Sequence, residues 1–141
     1  MRAFKTGLLV GVLLAQFATG ASIGWAQNSH SLQSRIPKPD PMKYHAIQDG
    51  KAWQNPELVV RPDGIEVVGI TPAGQAIPAE SVPDKLESLS DSAWPYGLIV
   101  MVSDAGIVSS SNVRPRIQAN RTKLLKILKA HGIAVDLWPS A

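Results

Sequence analysis

Hydrophobic positions in this chain fall into separate blocks, and the block at the amino end differs from the rest. Thr6 to Asn28 contains no charged side chain, and GLLVGVLLAQFATG within it is largely apolar, behind a basic tip of Arg2 and Lys5. A basic tip, an apolar centre and the small-x-small exit Gly24-Trp25-Ala26 are the parts of a secretory signal peptide. Residues 1–26 are therefore expected to be a cleaved leader, which makes the mature protein periplasmic or secreted. Retained, Gly7 to Ala26 would act as a single-pass inner-membrane anchor across a hydrocarbon layer of about 30 Å. Gln16, Thr19, Gly20, Ser22 and Gly24 make the second half of that segment polar. Residues 27–56 carry few large apolar side chains and include Pro37, Pro39, Pro41 and Pro56. Proline fixes φ and removes the amide donor. This stretch is expected to be a flexible tether, docking only around Tyr44, Ile47 and Trp53.

The folded domain is expected to span residues 57–141 and to stand without the tether. Leu58-Val59-Val60 and Ile65-Glu66-Val67-Val68 flank Arg61-Pro62-Asp63-Gly64, a hairpin signal. Period-two alternation puts Leu58, Val60, Ile65 and Val67 on one face, with Glu57, Arg61 and Glu66 on the other. A short helix follows, with Ser81 as cap, Asp84 as its capping-box partner and Pro83 in the first turn. Val82, Leu86 and Leu89 form its apolar stripe. Leu98 to Val102 is continuously apolar, as in a central strand covered on both faces. A second helix starts around Pro115 and ends at His131-Gly132, burying Ile117, Leu124, Leu125 and Leu128. Ile133 to Trp138 alternates as a last strand before Pro139. The order β-β-α-β-α-β, with right-handed crossovers, predicts an α+β two-layer sandwich: a four-stranded mixed sheet with two helices on one face.

Composition removes several functions. The chain has no cysteine, so it has no disulfide, thiol nucleophile, cysteine metal site or lipoprotein anchor. No cofactor motif is present. His30 and His45 lie on the tether and His131 ends a helix, so no pair has metal-ligand spacing. His131 suits the helix macrodipole as a cation in the last turn. No Gly-x-Ser-x-Gly elbow is present, and a small hydrolase would need Ser103 and Asp104 to meet His131.

Charge is unevenly spread. Lys and Arg number 14 against 11 Asp and Glu, but Arg114, Arg116, Arg121, Lys123, Lys126 and Lys129 all lie between Ala105 and Val135, where there is no acid. The candidate contact residues are accordingly Lys123, Lys126 and Lys129 on the second helix, Arg114 and Arg116 beside Asp104 as a small polar pocket, and Trp94 and Tyr96 as an aromatic contact. The expected partner is an envelope protein or an anionic lipid surface. Nucleic acid is not expected, because no aromatic residue interleaves the lysines. Trp94 is most simply read as a plug over the core's end, and Trp138, at the far end of a parallel strand, need not join Trp94 and Tyr96 in one patch.

The Pro-Asp-Gly hairpin, short helix, apolar strand, basic helix ending in His131-Gly132 and final strand together resemble the periplasmic domain of the ExbD/TolR family over about Glu57 to Trp138. That resemblance implies an anchored component of a proton-driven envelope motor. Two departures stand beside it: Thr6 to Ala26 holds no acid where the family's span carries a functional aspartate, and the family's Ala-Asp strand end appears as Ser103-Asp104. The primary expectation remains an exported, non-enzymatic accessory or binding domain of the cell envelope.

Overall fold

The computed structural model describes residues 31–106 and 112–139, so the expected leader, residues 27–30 and most of the polar loop around Ser109 lie outside the described residues. Among the described residues, seven α-helices and β-strands run in order: α1 (Leu32–Arg35), β1 (Glu57–Arg61), β2 (Gly64–Val67), α2 (Val82–Glu87), β3 (Ile99–Asp104), α3 (Val113–Ala130) and β4 (Ala134–Leu137). The sheet order is β2-β1-β3-β4; β1 and β2 are antiparallel, while β1, β3 and β4 run parallel. This is the mixed four-stranded sheet of an α+β fold. The hairpin turns tightly, with Arg61 opposite Gly64.

Alternation along β3 divides the interior in two. Val100 and Val102 point to the helix side, where they join Leu58, Val60, Ile65 and Val67 against Val82 and Leu86 of α2 and Ile117, Leu124 and Leu128 of α3. Ile99 and Met101 point to the other face and meet Trp53 and Tyr96, with Tyr44, Ile47, Ala134 and Trp138 around them. An uninterrupted apolar strand is therefore apolar for a reason, since both its faces are covered.

The cover on that second face corrects the domain boundary. Residues 31–56 are not a free tether. Leu32 and Ile36 are 3% and 5% exposed in the helix-side core. The chain then wraps the amino end of β3, where Leu98 N–H donates to Pro37 O at 2.9 Å and Asp40 N–H to Tyr96 O at 2.9 Å. Gly97 has φ +92, and a Cβ there would collide with the Lys38 carbonyl, so the wrap requires glycine at this crossing. Asn55, 5% exposed, fastens the far end: its Nδ2 donates to Gly97 O and Ile99 O, both at 2.8 Å, and its Oδ1 accepts from Tyr96 N–H at 2.8 Å. Prolines did forbid a ladder here, but a segment without a ladder still anchors through side chains and isolated backbone bonds. The described residues belong to one compact unit that starts at Ser31.

Two local expectations also change. Ser81 makes no capping bond, because it sits in a 3-10 turn, Ala79–Ser81, with helical φ −89 and ψ −8 rather than the extended geometry a cap needs. Leu137 is 60% exposed, although clean alternation would bury it. Among the described residues no helix is long and apolar enough to cross a membrane.

Candidate functional site

The sequence candidates separate into buried, paired and free groups. Trp94 (3% exposed) belongs to the helix-side core, as a plug does, and Tyr96 (6%) to the opposite cluster. Neither offers a contact surface, which corrects that expectation. Tyr96 Oη instead accepts from Gln54 N–H at 3.1 Å and donates to Ala52 O at 3.3 Å. Trp53 bridges Tyr96 and Trp138, which by strand position alone need not have met, with ring centroids 5.0 Å from Tyr96 and 6.3 Å from Trp138.

The polar pocket of Asp104 with Arg114 and Arg116 is not formed. Asp104 pairs with Arg121 instead. Helix α3 is about 27 Å long at 1.5 Å per residue, against about 20 Å for β3. Its first turn bears the exposed Arg114 and Arg116, and the next basic residue along it, Arg121, reaches Asp104. The helical spacing Ile117, Arg121, Leu124 marks Arg121 as inward-facing, a signal readable from sequence but outweighed there by proximity along the chain. Ser103 and His131 are not brought together either. Ile99 pairs with Ala134 at the amino ends of the strands, and Ser103 lies four residues further on, about 13 Å along β3 at 3.3 Å per residue. Ser103 Oγ is buried without a hydrogen-bond partner, and His131 is exposed beyond the end of α3. Among the described residues no group of three His, Asp or Glu side chains could hold a metal.

The free groups lie on one side of the molecule. Lys123 is tied to Glu80 at 2.6 Å, and that contact holds the Glu80 carboxyl below its ordinary value. Lys126 and Lys129 are exposed and pair with no acid among the described residues. Beside Lys129 a shallow groove of about 490 Å³ runs between α3 and β4, lined by Leu125, Lys129, Ile133, Val135 and Leu137 among others.

That groove borders a sheet edge that no described residue covers. Ala134 N–H donates to Leu98 O and Trp138 N–H to Val102 O, at 3.1 and 2.9 Å. Successive residues of a strand point opposite ways, so Val135 and Leu137 direct their N–H and C=O groups outward. The other edge of the sheet is closed: Ile65 on β2 exchanges two 2.8 Å bonds with Ile77. Exposed edges are usually blunted by lysine, proline or a bulge. β4, Ala-Val-Asp-Leu, has none of these within it.

No family model matches the chain, and no curated protein or solved structure is significantly similar to it.

Proposed function

We propose that the protein is an exported accessory domain of the cell envelope that works by binding, and that it contacts a partner protein through the β4 edge and the groove beside it that Lys129 lines. One observation supports the reading: of the two edges of the sheet, β2 is covered by Ile77 while no described residue covers β4, and that edge lies against apolar side chains. An extended segment can add to such an edge through main-chain hydrogen bonds, with side-chain pockets supplying selectivity. Lys126 and Lys129 favour a segment that carries carboxylates. The pattern of residues 1–26 supports export, with a mature chain beginning at Gln27.

A photo-crosslinking residue at Leu137, introduced into the protein in its native cells, tests this. It is expected to give a discrete protein adduct with the soluble chain that starts at Gln27. Val135→Pro should abolish the adduct, because it removes an outward donor and no bond to β3. Lys126→Glu with Lys129→Glu should weaken it. An adduct unchanged in Val135→Pro would overturn the edge. Salt-sensitive vesicle binding without any protein adduct would assign the lysine face to anionic lipid, and an intact amino terminus in the membrane pellet would favour the anchored ExbD/TolR-like reading.

A further inference from the structure

A second groove, away from the β4 edge, opens at the amino end of β1. Residues 53–57, residues 68–70, and Leu89 with Ala93 form its walls. It is an open groove of about 350 Å³, a volume within the range of small-molecule sites. Trp53, Val68, Ile70, Leu89 and Ala93 give it an apolar wall beside its polar residues, and no Lys, Arg or His lines it. Its two internal amide-bearing residues differ: Asn55 is fully committed to residues 96–99, as described, while Gln54 is exposed. That leaves one charged group. Glu57 is half-buried and makes no ion pair with any described residue; the nearest cation on its face of the hairpin, Arg61, is engaged by Glu66 at 3.4 Å and Asp63 at 3.8 Å. Val68 stands directly across from Glu57, its N–H donating to Glu57 O at 3.0 Å, so the two side chains share a face as cross-strand neighbours.

A carboxylate partly withdrawn from water, set among apolar side chains and lacking a cation, is complementary to an amphipathic cation. We propose that this groove binds a primary ammonium on a short alkyl chain, with the ammonium on the Glu57 carboxylate and the chain along Val68, Ile70 and Leu89. The Glu57 carboxyl is raised above its ordinary value, first by burial and then by the negative charge of Glu66, as befits an acid short of positive charge. The ammonium can come from a free alkylamine or from the lysine side chain of a peptide. The site is independent of the β4 edge, so failure of either proposal leaves the other standing.

Titration of the isotope-labelled protein with n-butylammonium, n-butanol and n-butyrate tests it, with amide shifts as the readout. Butylammonium is expected to shift the amides of Glu57, Val68, Gly69 and Ile70. It should bind about fivefold more tightly than butanol, the factor set by the upper end of exposed ion-pair energies, and butyrate should not bind. Glu57→Gln should reduce butylammonium to the butanol level. Val68→Lys, at a position 42% exposed, should place a tethered ammonium beside Glu57 and abolish probe binding while the β3 amides keep their native shifts. Tighter binding of Nα-acetyl-lysine amide than of butylammonium would identify a peptide source, and the reverse order a free amine. Equal affinities for butylammonium and butanol, unchanged binding in Glu57→Gln, or shifts confined to other residues would overturn the proposal.

Discussion

Glu57 has an unusual relation to stability for a surface carboxylate. Burial, and then Glu66, favour its neutral form in the folded state. Its folded value therefore lies above the ordinary 4.5, the reverse of a salt-bridged acid. Well below 4.5 both states are protonated and Glu57 has no effect on stability. As pH rises past that point the unfolded chain ionises first, and the native state loses stability until its own carboxyl has titrated. Glu57→Gln is thus expected to match the wild type at low pH and to exceed it in Tm at neutral pH, the gap opening between. Thermal unfolding of both proteins across that range checks this; a gap of the opposite sign would mean that Glu57 has a cation after all. The local pairing of Glu57, Arg61 and Glu66 on one face was legible in the hairpin's alternation. What alternation does not reveal is which of these residues ends up without a partner, since that depends on the turn geometry that carries Arg61 to Asp63 and Glu66.

At the scale of elements, regular periodicity was the readable signal. Both strands of the hairpin, β3 and α3 announced themselves by spacing, but the sheet order did not: a crossover from β2 would make β3 parallel to it, whereas β3 lies beside β1 and runs antiparallel to β2. The wrap of residues 31–56 has no period, and its proline content reads as freedom. Its fixing depends on single residues: Leu32 and Ile36 in one core, Trp53 in the other, and the three bonds of Asn55. Tyr44, Ile47 and Trp53 were legible as docking points; Asn55 was not, because a buried clamp is indistinguishable in sequence from a loop asparagine. A large apolar side chain contributes about 1.5–3 kcal/mol on burial, so losing Leu32, Ile36 and Trp53 removes about 5–9 kcal/mol, comparable with the whole stability of many domains, about 5–15 kcal/mol. A chain beginning at Glu57 is expected to lose its cooperative unfolding transition in denaturant, followed by circular dichroism. A native-like transition in that chain would show that the wrap rests on the domain without supporting it.

For the whole molecule, the arrangement is a sheet covered by helices on one face, by the wrap over half of the other, and by its own chain at one edge. The helices close one face, the wrap covers β3 and β4 on the other, Ile77 closes β2, and among the described residues nothing covers β4 or pairs with the nearby Lys126 and Lys129. The candidate site was half legible: the lysine face was visible in the acid-free stretch from Ala105 to Val135, whereas the open edge required the strand order, and the aromatic residues singled out for contact turned out to be structural. Residue-resolved amide exchange on the mature chain tests this arrangement most directly. Leu98, Met101, Ala134 and Trp138, whose amides donate to Pro37 O, Pro56 O, Leu98 O and Val102 O, are expected to exchange slowly, while Val135 and Leu137, interleaved with them, exchange at rates near those of unstructured chain. Slow exchange at Val135 and Leu137 in the isolated protein, or fast exchange at Leu98 and Met101, would contradict the account.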